Sequence, residues 1–187
     1  MNPGGPLHDA KPLKRRLFFA LWPDDATRAR LGELQRELPP SSGRDMSIDN
    51  LHITLFFLGD CEESLLPCLE EVGGTLKGEA FELIFDEVGL FDRARVLWAG
   101  VRRPPDALVS LQEALVGRLV ERCGQIRDHR PFAPHLTLRR NTRKPCSWPA
   151  TIAPIRWRVG AVALVESIND DHGVRYQPLR QWSLKPE

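Results

Sequence analysis

Two short stretches carry the residue types that could do chemistry: Leu51-His52-Ile53-Thr54-Leu55 and Pro134-His135-Leu136-Thr137-Leu138. Each sets a histidine and a threonine two positions apart within an apolar run. Side chains alternate faces along a β-strand, so His52 and Thr54 point one way while Ile53 and Leu55 point the other. The apolar face belongs in a core, which leaves the polar face for solvent, a cleft or a partner. A single strand histidine is ordinarily a satisfied structural residue. Two in the same tetrapeptide context suggest instead a two-histidine site.

Imidazoles titrate near neutrality, so two of them can divide a proton-transfer job, one taking a proton while the other gives one. Phosphodiester chemistry on RNA needs that division. A base activates a water or a 2′-hydroxyl, and an acid protonates the leaving ribose oxygen. Thr54 and Thr137 would hydrogen-bond non-bridging phosphate oxygens, and Arg139, Arg140 and Arg130 would supply charge where the transition state turns negative. Arg140 lies five positions after His135, so strict alternation puts it on the wrong face. It reaches the site only through a strand end or a bulge. Metal binding is the rival use of histidine, but each strand offers one ligand and no carboxylate stands at zinc-ligand spacing. No metal and no cofactor is therefore expected. His8, His129 and His172 read as solvated surface residues. Phe57, Phe132 and Trp22 could stack a base, with a place in the core the expected role for each.

The elements that must position these residues follow a repeated plan. Arg15–Trp22 reads as a buried strand, and Pro23-Asp24-Asp25 opens a helix with Leu31, Leu34 and Leu38 on one face. A loop over 41–50 leads to the first motif strand, 51–58, stopped by Gly59-Asp60. A helix over 62–76, a strand over 81–90 and a strand over 96–101 come next. Pro104-Pro105-Asp106 opens a third helix with Leu108, Leu111, Leu115 and Leu119 as its stripe. A basic loop, 127–130, precedes the second motif strand. Residues 144–154 read as an irregular connection, and 156–166 with 174–179 as late strands in a hairpin turned at Asn169–Gly173. Strand, helix, loop, motif thus occurs twice at nearly matched length, as an internal duplication would leave it. Two such units about a pseudo-twofold axis would bring both His/Thr faces into one cleft.

The chain has 187 residues, enough for one large domain; hydrophobic residues make up 42% and charged residues 27%, as in ordinary globular proteins. Residues 1–13 read as a flexible tail and 14–187 as a single bilobed domain. No apolar run approaches the ~20 residues of a membrane span. The run after Lys14-Arg15-Arg16 is too short and lacks a cleavage site for a signal peptide, so a cytoplasmic protein without membrane association is expected; a monomer is the separate expectation for its assembly. Cys61, Cys68, Cys123 and Cys146 contain no C-x-x-C pair and read as free thiols. The net charge of +1 hides an asymmetry: residues 1–92 carry 9 basic and 17 acidic side chains, residues 93–187 carry 17 and 8. The second half is suited to an anion, or the two halves attract each other.

These residues resemble the 2H phosphoesterase superfamily, and within it the bacterial and archaeal RNA 2′,3′-cyclic phosphodiesterases, also called 2′-5′ RNA ligases. The resemblance rests on Arg16–Leu21, Asn50–Leu55 with Phe57-Leu58-Gly59, Arg130–Leu138 followed by Arg140, and Tyr176-x-Pro178-Leu179-x-x-Trp182. It implies an α+β fold of duplicated β-α-β units with antiparallel sheets about a pseudo-twofold axis. It also implies metal-independent opening of RNA 2′,3′-cyclic phosphate ends to 2′-phosphates, with reversible 2′-5′ ligation as the same chemistry run on a 5′-hydroxyl. His52 would be the general acid, His135 the base, and Thr54, Thr137 and Arg140 the phosphate ligands. Two alternatives stand beside it. One is a non-catalytic nucleotide- or RNA-binding module; the other is a phosphodiesterase of the same superfamily acting on another substrate such as 2′-5′ oligoadenylate.

Overall fold

The computed structural model describes residues 13–40, 42–125, 131–142, 149–170 and 173–186. In chain order the elements are β1 (Lys14–Leu21), α1 (Asp25–Glu37), β2 (Arg44–Asp45), β3 (Ile53–Glu62), α2 (Leu66–Thr75) and β4 (Phe81–Phe91). They continue with β5 (Val96–Gly100), α3 (Asp106–Cys123), β6 (His135–Arg140), β7 (Thr151–Val159), β8 (Ala161–Asp170) and β9 (Gly173–Ser183). The strands form one sheet in the order β7-β4-β5-β6-β3-β1-β8-β9, with the two-residue β2 paired to β6. All of these strand pairings are antiparallel.

The duplication is visible in this order. β1 and β3 flank α1 in sequence and pair with each other; β5 and β6 do the same around α3. The two halves meet where β3 pairs β6, at the single register pair Ile53 and Leu136. Both of these residues are completely buried. Together with Leu17, Phe19 and Leu21 of β1 and the stripes of all three helices, they form the main core. Burying each such aliphatic side chain stabilises by about 1.5–3 kcal/mol. Alternation sends Phe18 and Ala20 to the other face, where they join Ala163, Val165, Trp22 and Tyr176 in a smaller cluster.

Asp24 caps α1 by accepting from the Thr27 backbone N–H at 2.8 Å, so the acidic start does what acidic helix starts do. Four expectations need correction. Gly59 does not stop the first motif strand: at φ +80° it sits inside β3, where the pairing with β1 slips by one residue. Residues 151–154 are strand rather than irregular connection. Pro154 is tolerated there because β7 ends the sheet among the described residues, with no described neighbour to receive its missing N–H. The expected late strand over 156–166 is broken at Gly160, sending β7 and β8 to opposite halves; the β8–β9 hairpin itself is present. Finally, Cys68 and Cys123 form a disulfide joining α2 to α3, leaving Cys61 as a buried free thiol among the described residues. The expected tail, except Leu13, and Cys146 lie outside the described residues, as do His8, His129, His172 and Arg130. No described helix is long and apolar enough to cross a membrane.

Candidate active site

The Ile53–Leu136 pair fixes how the motifs face each other. Carried one residue either way, its antiparallel register sets His52 opposite Thr137 and Thr54 opposite His135. Residues directly opposite in such a ladder project to the same face. The four polar side chains therefore gather on the face away from the core, related by a local twofold through the Ile53–Leu136 pair.

Both imidazoles are tied down alike. His52 Nδ1 lies 2.7 Å from the Asn50 carbonyl and His135 Nδ1 lies 2.8 Å from the Ala133 carbonyl, in each case two residues upstream. A carbonyl only accepts, so each Nδ1 carries the hydrogen and donates, and each Nε2 is left to the site. His52 Nε2 lies 3.1 Å from the Thr54 hydroxyl. Asn50 is itself clamped. Its buried amide donates to the Val174 carbonyl at 2.8 Å and accepts from the Tyr176 N–H at 3.0 Å, tying the His52 support to β9. Asn50 and Tyr176 are parts of the site that motif reasoning did not single out for a role. An asparagine three residues before a strand leaves no periodic signal.

The rings differ in setting. His52 is stacked on Trp22 at 5.6 Å between centroids and touches Phe18 and Tyr176 at 4.9 and 5.0 Å. His135 meets Phe91 edge-on at 4.9 Å. Burial among these aromatics pushes the His52 imidazole down to about 4, against the Asn50 carbonyl, which favours the charged form; Arg140 and His135 push it lower still. His135 is displaced downward as well, by burial first and by Arg140 after the opposing effect of the Ala133 carbonyl. Both displacements favour the neutral imidazole.

Arg140 is at the site because β6 bulges. Trp98 lies opposite Thr137 and Leu97 opposite Arg139, so Leu138 is an extra residue on β6 and the alternation resets after it. Arg140 becomes exposed and turns to the groove, while Arg139 is 6% exposed and paired with Asp45 and the Pro39 carbonyl. Arg139, expected among the charge donors, is therefore structural. The same bulge recurs in the first half: Ala20 faces Thr54 and Phe19 faces Phe56, leaving Leu55 extra. There it turns out Phe57, the counterpart of Arg140. Phe57 is 52% exposed with the Arg16 guanidinium 4.9 Å over its ring, so it is not a core residue. Trp22 is half-buried against His52; Phe132 packs against the main core, as expected.

A groove of about 820 Å³ runs from His52, Thr54, Phe57 and Arg140 towards Arg44 and Arg175, without extending over His135 or Thr137. Among the described residues no three His, Cys, Asp or Glu side chains are grouped where they could hold a metal ion.

A family model for the 2′-5′ RNA ligase superfamily matches residues 23–171. The RNA 2′,3′-cyclic phosphodiesterase of Escherichia coli (strain K12) is 33% identical over 171 residues, covering 91% of this chain and 97% of its own. That of Thermus thermophilus is 31% identical over 183 residues, covering 92% and 91%. The crystal structure of E. coli LigT complexed with 3′-AMP superposes at a TM-score of 0.84, with 32% identity over 92% of this chain and 99% of that one. The duplicated antiparallel α+β fold is therefore that of the LigT structures. With a family model matched over most of its length and close-to-full-length relatives, this chain belongs to the 2′-5′ RNA ligase superfamily.

Proposed function

We propose that this chain is a hydrolase that opens RNA 2′,3′-cyclic phosphate ends to 2′-phosphates by two-histidine acid–base catalysis. The observation that carries the reading is the matched pair of imidazoles, each fixed by an Nδ1–H donated to a carbonyl two residues back, each presenting Nε2 on one face. His135 Nε2 takes a proton from water, whose oxygen attacks phosphorus. The P–O3′ bond breaks, and His52 Nε2 gives its proton to the departing O3′, leaving a 3′-hydroxyl and a 2′-phosphate. Thr54 and Thr137 hold non-bridging oxygens, and Arg140 offsets the charge that develops on them. An imidazole held at about 4 is by itself a poor proton reservoir. A bound phosphate anion offsets Arg140 and stabilises the His52 imidazolium, so the acid is charged in the complex. With a 5′-hydroxyl in place of water the same steps form a 2′-5′ linkage, and run backwards they cleave it.

The relatives named RNA 2′,3′-cyclic phosphodiesterase and the LigT complex with 3′-AMP support the substrate class. Both histidines come from one chain, so a monomer, acting in the cytoplasm and comprising residues 14–187 as one unit, suffices. The test is turnover of a nucleoside 2′,3′-cyclic phosphate by purified protein in EDTA, with the product isomer read by phosphorus NMR. A 2′-phosphate is expected. No turnover rejects hydrolysis in favour of a binding module, a 3′-phosphate reverses the leaving oxygen, and loss of turnover to the chelator rejects the metal-independent mechanism.

A further inference from the structure

The two-residue ladder between β2 and β6 holds one matched pair and one mismatched pair. Asp45 lies opposite Arg139, and the two form an ion pair. Arg44 lies opposite Arg140, a cross-strand placement in which like charges repel. Among the described residues no carboxylate is paired with either. Arg44 continues the line of charge away from the histidines. Its guanidinium lies against Gly173, where an added Cβ would come within 2.9 Å of Nη2, and the positive φ of +115° also favours glycine there. Gly173 and Arg175 share a face of β9 by alternation, which brings Arg175 alongside. Arg175 is bonded to a neutral partner, the Gln177 amide oxygen at 3.1 Å. All three arginines line the groove that starts at His52. Among the described residues its carboxylates are Asp45, taken up by Arg139, and the exposed Asp49; Arg16, a fourth arginine lining it, is paired with Asp60.

A like-charged pair facing an open groove carries a cost that a bound anion removes. Arg140 has an occupant under the proposed function; Arg44 and Arg175 have none. We propose that Arg44, with Arg175 beside it, is a second phosphate subsite, taking the phosphate on the 5′ side of the terminal nucleoside. This rests on the hydrolase reading for the placement of the cyclic end, and it makes the preferred substrate one that carries two phosphates, not a lone cyclic nucleoside. The second phosphate is either an internucleotide diester or a 5′-phosphate, since one nucleoside separates either from the cyclic end.

The test compares adenosine 2′,3′-cyclic phosphate, its 5′-phosphorylated form and the dinucleotide ApA ending in a 2′,3′-cyclic phosphate, using wild type, Arg44→Gln and Arg175→Gln. A charge-assisted contact lowers KM about tenfold for the substrates that make it. Arg44→Gln should abolish that gain, with Arg175→Gln reducing it, and neither should change turnover of the unphosphorylated cyclic nucleoside. Gain with both phosphorylated substrates assigns the subsite to phosphate from either source; gain with the dinucleotide alone assigns it to the internucleotide diester. Equal KM for all three substrates in wild type overturns the proposal, and so does an equal loss on all three in the variants. If none is turned over, the hydrolase reading fails by itself. The subsite is then decided by calorimetric binding of 3′-AMP against adenosine 3′,5′-bisphosphate: tighter binding of the bisphosphate that Arg44→Gln removes supports it, and equal affinities overturn it.

Discussion

The Gln35 side chain donates to the carbonyl of Leu138 at 2.7 Å, and Leu138 is the residue by which β6 bulges. The same amide nitrogen donates to the Met46 carbonyl at 3.1 Å. The first half of the chain, through α1, thus holds the distortion in the second half that aims Arg140. The relation is reciprocal: Gln112 of α3 donates, at 3.4 Å, to the carbonyl of Leu55, the bulge residue of β3. Replacing Gln35 by the similarly sized Met takes one of two donors from the Leu138 carbonyl, which keeps the Met46 N–H at 2.8 Å. Gln35→Met is expected to cost about 0.5–1.5 kcal/mol in urea unfolding and to raise KM several-fold as Arg140 loses its aim. An unchanged KM would separate the bulge from the site.

Loss of either imidazole should be severe and of similar size. His52→Ala and His135→Ala are each expected to lower kcat at least ~100-fold, the scale of a general acid or base, in steady-state assays on a cyclic nucleotide. The double variant should be little worse than either single one, because the two act as a unit.

Proton uptake by the site has a definite sign. Folded His52 stays neutral down to about 4, whereas an unfolded imidazole titrates near 6.5. Between those values the unfolded chain binds more protons. The stability contributed by the neutral ring is therefore full above pH 6.5 and is lost as pH falls towards 4. Thermal unfolding across that range should show the decline, and His52→Asn should flatten it.

Arg140 has a second consequence. Its charge pushes both rings downward, so Arg140→Gln should move both histidine titrations to higher pH, read from the ring proton resonances by NMR. The same variant should raise KM and carry the alkaline limb of kcat/KM upward. A rise in KM with both titrations unmoved would place Arg140 away from the imidazoles.

The Cys68–Cys123 bridge closes a separation of 55 residues. Chain entropy puts its effect at about 4 kcal/mol. Dithiothreitol, or Cys68→Ser, is expected to lower the unfolding midpoint while leaving kcat and KM unchanged, since the bridge joins α2 to α3 on the core side of the sheet. Non-reducing mass spectrometry reports its presence directly. In a reducing cytoplasm these two cysteines would stand as thiols.

Much of this molecule was legible in the letters. The repeated H-x-T within apolar runs identified both site strands, because period-2 alternation is local and needs no partner to be read. The flanking motifs named the family, and the leucine stripes located all three helices. The five-residue offset from His135 to Arg140 even stated its own condition, a bulge or a strand end. Whether the bulge exists was not in the letters: it depends on how β6 registers against β5 and on a glutamine 103 residues away. Asn50 likewise acquires its role only when β9 arrives beside it, and Arg139 and Arg140, adjacent and identical in type, part company at the bulge, one into an ion pair and one into the groove. The sequence determines which side chains are available and their local alternation. Tertiary structure alone decided which of them meet, because pairing register and distant hydrogen-bond partners are set by the packing of elements far apart in the chain.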